Sequence, residues 1–150
     1  MIIIAIDYGE KRIGVAKSDP LGLLAQGVTT IEWNKDINKP LDIIEKIVTE
    51  YGAASIVIGL PLNMDDSEGE KALKVRNFAS MLEERCKKPI ILYDERLSTV
   101  EAHDIIHMQG KKTGKDKKRI DMVAACVILQ SYLDNMDNKK KDKGEHSNGR

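Results

Sequence analysis

Ile2-Ile3-Ile4-Ala5-Ile6-Asp7-Tyr8-Gly9-Glu10-Lys11-Arg12-Ile13-Gly14-Val15-Ala16 is an apolar run that ends in a carboxylate, turns at a glycine and resumes as a second apolar stretch. Five consecutive apolar residues fit a strand covered on both faces. Gly9, able to take a positive φ, closes the turn between this strand and the next. A carboxylate at the end of a buried strand sits at the rim of a sheet, where ligands and metal ions bind.

Working outward, strands are expected over residues 2–7, 12–18 and 25–32, joined by short turns into an antiparallel meander. The pattern then changes. Leu41, Ile44, Ile47, Val48 and Tyr51 recur at helical spacing, with Pro40 in the first turn and Gly52 as a stop. Residues 55–60 read as a buried strand that exits through Gly59-Leu60-Pro61. Ser67 and Glu70 have the spacing of a capping box for a helix carrying Val75, Phe78, Ala79, Leu82 and Cys86 on one face. Residues 89–93 form another apolar strand, followed by Asp94-Glu95-Arg96. Ser98 and Glu101 have capping-box spacing for a further helix to about Met108, and a last helix runs over about 119–133. The order βββαβαβαα implies right-handed crossovers in the second half. It predicts an α/β domain over residues 1–135: a mixed five-stranded sheet, strand one central, with helices on both faces. Residues 136–150, rich in Lys, Asp and Asn, have little to bury and are expected to form a disordered charged tail.

With 150 residues and 24 basic against 24 acidic side chains, one domain without a global field is expected. Cys86 and Cys126 are too few and too far apart for a metal motif and read as buried free thiols. No stretch approaches the ~20 apolar residues of a membrane span, and no signal peptide is legible, so a cytoplasmic setting without membrane partners is expected.

Asp7 ends strand one, Asp94 and Glu95 end the last strand, and Asp121 lies in the first turns of the last helix. If strand one and the last two strands are parallel, their ends share one rim. Asp121 joins them if the helix packs across it, with Ala124 and Ala125 permitting close approach. Clustered carboxylates call for a cation, and Mg²⁺ or Mn²⁺ suits hard oxygen ligands. Such ions serve phosphodiester cleavage. Each acid also has an ordinary role: Asp7 and Asp94 as turn residues, Glu95 as a partner of Arg96 or a lysine, Asp121 at a helix N-terminus. Arg12 either contacts phosphate or pairs with Asp7. Asn63, after the Gly59-Leu60-Pro61 exit, is a phosphate donor or part of a rigid turn. Residues 111–119 hold six basic side chains and one acid; Lys111, Lys112, Lys117, Lys118 and Arg119 make the best polyanion footprint. His103 and His107 are four apart but have no third ligand at fitting spacing, so a solvated face is expected rather than zinc.

Asp7-Tyr8-Gly9 with Arg12-Ile13-Gly14, Gly59-Leu60-Pro61, Asp94-Glu95-Arg96-Leu97-Ser98-Thr99, and Asp121 with Ala124-Ala125 together resemble the YqgF family, also called RuvX. The resemblance spans residues 1–134. It implies a ribonuclease H-like fold and a nuclease maturing the 5′ end of the small-subunit (16S) rRNA precursor. It makes Asp7, Glu95 and Asp121, with Asp94 beside them, the metal-binding acids and adds Arg96 to the substrate contacts. In the related junction resolvases an acid follows the fourth strand and two lie in the last helix. Here the fourth strand ends without one, and the acid is displaced to the neighbouring strand end, at Glu95.

Alternative functions are a four-way (Holliday) junction resolvase, which requires a dimer, and a non-catalytic RNA-binding ribosome or transcription factor. Residues 7–14 also look like the phosphate-binding hairpin of actin-like ATPases, but 150 residues supply only one of the two lobes those enzymes close. The partners expected are structured RNA or branched DNA and ribosomal precursor particles, met by a monomer or homodimer.

Overall fold

The computed structural model describes residues 1–98 and 117–148, without the side chains of 117–119 and 139–148. Strands β1 (Ile3–Asp7), β2 (Arg12–Ser18) and β3 (Ala25–Glu32) are followed by helix α1 (Asn38–Tyr51), β4 (Ser55–Leu60), α2 (Glu70–Cys86) and β5 (Ile90–Asp94). A single 3₁₀ turn, Glu95–Leu97, leaves β5, and the last described element is helix α3 (Lys117–Asn148). One sheet results, in the order β3-β2-β1-β4-β5. The β1–β2 and β2–β3 pairs are antiparallel; β1–β4 and β4–β5 are parallel. Strand β1 is therefore central, as its unbroken apolar run predicts. The expected helix to Met108, its Ser98–Glu101 capping box, and His103 and His107 fall wholly or partly outside the described residues.

Strand alternation divides the core in two. Ile4 and Ile6 of β1, Ile13 and Val15 of β2, and Ile56 and Ile58 of β4 face α1 and α2, where they meet Leu41, Ile44, Phe78 and Leu82. Burying each of these large side chains contributes roughly 1.5–3 kcal/mol. The opposite face carries Ala5, Ala16 and Val57 beneath Ala125, Ile128 and Leu129 of α3. Branched side chains hold one layer apart at full helix-to-sheet distance, whereas the small residues on the other let α3 settle onto the strands.

Gly52 stops α1 in the left-handed conformation at φ 61°, its N–H donating to the Thr49 carbonyl. Four local expectations are corrected. Gly9 is absent from the positive-φ glycines, which among the described residues are Gly22 and Gly52. The turn needs glycine there for room, because a Cβ would lie 2.4 Å from the Arg12 carbonyl oxygen. Ser67 does not cap α2: Gly69 occupies the N-cap position, and the Ser67 hydroxyl is engaged with Asp65 and Asn63. Cys86 is only half-buried, although Cys126 is buried, and both are free. Finally, α3 continues to Asn148 where an end near Leu133 is expected. Burial against the sheet does end at Leu133. Once a helix is seated, each further turn costs little, and the following lysines propagate it without a proline to stop it.

Ser18 is completely buried at the end of β2, and its hydroxyl accepts a 2.8 Å hydrogen bond from the Ile3 amide. Ser18→Ala should lower unfolding free energy by about 1 kcal/mol, since it removes the acceptor of a part-buried N–H. Denaturant titration would show a reduced midpoint at unchanged slope.

Candidate active site

The parallel pairing of β1, β4 and β5 brings their C-terminal ends to one rim. Asp7 ends β1 opposite Gly14 of β2, Leu60 of β4 is in register with Asp94, and Glu95 is the next residue. By alternation from Ala5, Asp7 shares the sheet face on which α3 packs. The helix reaches that rim because Gly14 has no side chain: a Cβ there would stand 2.0 Å from the Asp121 carbonyl oxygen. Glu95 is brought in by a second glycine. A Cβ on Gly59 would lie 2.7 Å from Glu95 Oε1 and 2.7 Å from Ile128 Cδ1. The carboxylate that follows β5 thus reaches over the place where a β4 side chain would be.

Asp7, Glu95 and Asp121 line one cleft of about 510 Å³ with Arg12, Lys71 and Pro61. Burial raises the Asp7 carboxyl from its ordinary 3.8 to about 7, helped by the negative charges of Glu95 and Asp121 and opposed by Lys71. Burial also raises Glu95, against Lys71 and with the aid of Asp94. Arg12 Nε donates to Asp121 Oδ2 at 2.8 Å, so its carboxylate partner is Asp121 and not Asp7. Among the described residues no set of three or more His, Cys, Asp or Glu side chains is arranged to hold a metal ion directly. The cleft thus gathers three carboxylates, one of them paired with an arginine and two of them facing the charge of Lys71.

Three expected participants sit elsewhere. Asp94 alternates away from Glu95, and its carboxylate accepts from Arg96 Nε and Nη2 and from the Arg96 amide, which holds it below the usual carboxylate range. Arg96 also donates to Asp66 at 2.7 Å and to the Asn63 carbonyl at 2.9 Å. The Asn63 side chain donates to Ser67. None of Asp94, Arg96 and Asn63 lines the cleft. Their hydrogen bonds fasten residues 63–66 to the end of β5, next to Glu95. These contacts fit the turn alternative for Asp94 and Asn63, and they make Arg96 a brace between residues 63–66 and the end of β5. Lys111 and Lys112 lie outside the described residues. Lys117, Lys118 and Arg119 form the first turn of α3, immediately before the cleft, with no side chain described.

Sequence reading missed Lys71, whose charge acts on both Asp7 and Glu95. A signal was available: a lysine in the first turn of α2 sits at the end of the helix dipole that disfavours cations.

The sequence profile of the RuvX family, described as Holliday junction resolvase, matches residues 1–135. The chain belongs to the RuvX family. Its relatives include a protein of Acetivibrio thermocellus named "Putative pre-16S rRNA nuclease", 44% identical over 135 residues that cover 89% of this chain and 96% of that one. A Clostridium novyi protein of the same name is 43% identical over 136 residues, covering 91% and 100%. Among solved structures, T. thermophilus RuvC in complex with a Holliday junction substrate superposes with a TM-score of 0.62 at 11% identity, covering 87% of this chain and 91% of that one. The Fowlpox virus resolvase bound to Holliday junction DNA gives 0.56 at 16%, covering 91% and 99%. At such identities the likeness establishes the fold, which is ribonuclease H-like. The RuvX chain thus has the fold expected for it, and no described helix is long and apolar enough to cross a membrane.

Proposed function

We propose that this protein is a divalent-metal-dependent endonuclease that processes the 5′ end of the small-subunit rRNA precursor in the cytoplasm. One observation carries the reading: Asp7, Glu95 and Asp121, from three distant parts of the chain, converge on one cleft, where burial first and the two neighbouring charges second raise the proton affinity of Asp7. The names of the RuvX relatives support the substrate assignment. Residues 1–135 would form the catalytic domain.

The donor set is all carboxylate oxygen, which suits Mg²⁺ or Mn²⁺. Asp7, Glu95 and Asp121 would hold the ion, which when bound activates water and stabilises the leaving oxygen of a phosphodiester. The chain's own groups do the rest. Asp7 stores a proton near neutrality and gives it up when positive charge enters the cleft. Arg12 neutralises Asp121 in the resting site and has a phosphate to turn to when substrate arrives. Lys71 supplies fixed positive charge on the opposite side of the cleft. The Arg96 brace holds the peptide that carries Glu95. The basic segment from Lys111 to Arg119 grips the RNA backbone, and specificity comes from RNA shape or from the ribosomal precursor particle, since base-edge readers are not apparent.

The family description favours a second reading, resolution of four-way DNA junctions, for which two copies must act on symmetric strands. The test is cleavage of labelled precursor small-subunit rRNA beside a four-way DNA junction, in Mn²⁺ or Mg²⁺, for the wild type and Asp7→Asn. RNA cuts that need metal and Asp7 establish the proposal. Junction cuts alone establish the second reading, and RNA binding without cleavage of either reduces the protein to a binding factor. Replacing Lys111, Lys112, Lys117 and Lys118 together by Gln should weaken RNA binding. It should also flatten the slope of log K against log salt by up to roughly 3, at about 0.7 per lost phosphate contact. Filter binding over a salt series measures it.

A further inference from the structure

The turn that follows Asp7 also builds one wall of a second cleft. This cleft, about 540 Å³, includes Tyr8, Glu10, Lys11, Trp33, Lys35 and Lys74. Tyr8, Glu10, Lys11 and Lys74 line the carboxylate cleft as well, so the two hollows are continuous. The floor is aromatic. Tyr8 packs on the buried Phe78 with ring centroids 4.9 Å apart, and Trp33 stands against Tyr8 at 6.1 Å. Trp33 is fixed at both ends: its amide donates to the Lys11 carbonyl at 3.0 Å, and its indole N–H donates to the Gly9 carbonyl at 2.9 Å. Gly9 lies two residues from Asp7, so the indole is tied to the turn that places the central carboxylate. Lys11, Lys35 and Lys74 add to the lining. The carboxylate of Glu10 is matched by Lys74.

A partly exposed, pre-oriented indole lining a cleft beside lysines and continuous with the carboxylate cleft has the chemistry of a base-stacking platform. We infer that this second cleft binds one unpaired nucleotide of the RNA next to the scissile phosphate, its base stacked on Trp33 and its phosphate met by Lys11 and Lys35. The inference rests on the nuclease reading and adds to it. The RNA enters the site single-stranded on the Trp33 side, so the preferred cut lies in, or at the border of, an unpaired segment.

Trp33 is the only tryptophan in the chain, so fluorescence excited selectively in the indole, beyond the tyrosine absorption, reports on this cleft. The full-length protein would be titrated in EDTA with a single-stranded RNA decamer and with the blunt duplex of the same sequence. The expected result is quenching by the single strand at concentrations at least tenfold below those the duplex needs. Anisotropy of labelled RNA extends the test to variants. Trp33→Phe should keep most of the affinity. Trp33→Leu, which retains apolar packing against Tyr8, should lose on the order of tenfold for the single strand and nothing for the duplex. Lys35→Gln should weaken single-strand binding about severalfold. Equal binding of the two RNAs, or an unchanged affinity in Trp33→Leu with circular dichroism matching the wild type, overturns the inference. Because these readings are made without metal, they are independent of cleavage. Loss of the stacking signal with Asp7-dependent RNA cuts intact removes the subsite only, whereas stacking without any cleavage removes the nuclease reading and leaves single-strand binding in place.

Discussion

Asp7→Asn abolishes cleavage and at the same time makes the protein more stable above neutral pH. The loss of activity should be on the order of 10²–10³-fold or greater, because a charge aimed at the reacting centre is removed at constant volume. The gain in stability follows from proton linkage. The folded protein holds the Asp7 proton up to about pH 7, whereas the unfolded chain releases it near 3.8. The wild type therefore has its full share of stability from this group below about pH 4 and loses it progressively as the pH rises through 7. The interval corresponds to at most about 4 kcal/mol, and relaxation of the cleft will reduce it. Asparagine carries no such dependence. Thermal melts in EDTA between pH 5 and 8 should show the mutant's advantage growing with pH. Added Mn²⁺ should restore the wild type and leave the mutant unmoved. Melting curves of the two proteins that run parallel across this range would mean that Asp7 is not stored as an acid.

Gly14→Ala is expected to be the most damaging single-methyl change in the sheet. Its Cβ would stand 2.0 Å from the Asp121 carbonyl oxygen and 2.5 Å from the carbonyl carbon, and both are backbone atoms that no rotamer change can move. Either α3 lifts from the sheet or β2 bends. Overpacking of this kind costs about 1–3 kcal/mol and occasionally more, and the upper end is expected here. At roughly 2–4 °C per kcal/mol for a chain near this size, the melting point should fall by about 6–12 °C. Activity measured well below that temperature should fall too, because Asp121 moves with the helix. Gly27 provides the control. It lies under the same helix, but its added Cβ would sit 3.5 Å from the Met122 side chain, an ordinary contact. Gly27→Ala should leave both stability and activity close to wild type.

The sheet and the three acids were legible because each leaves a local mark. The apolar run ending at Asp7 announces a buried strand with a charge at its exit, and the switch from period two to helical spacing at Leu41 announces the crossovers. What could not be read were facts about room and pairing. The need for glycine at positions 14 and 59 depends on an α3 that begins about 60–100 residues later in the chain. The choice of Asp121 over Asp7 as partner for Arg12 depends on how that helix sits. Asp94 and Glu95 look equivalent in sequence, yet strand alternation and Arg96 send them to different surroundings. The extension of α3 beyond Leu133 was hidden because composition records what a segment can bury, not whether a neighbouring helix will carry it along.

The unequal faces of the sheet have a consequence for how such a protein can change. The isoleucine-rich layer under α1 and α2 acts as ballast, and its side chains can be exchanged among large apolar types as long as volume is kept. The layer under α3, with alanine at Ala5 and Ala16 and glycine at Gly14 and Gly59, acts as a gauge whose thickness sets where one of the three acids stands. Sequence drift on the first face alters the melting point; on the second, one carbon atom at Gly14 alters the instrument.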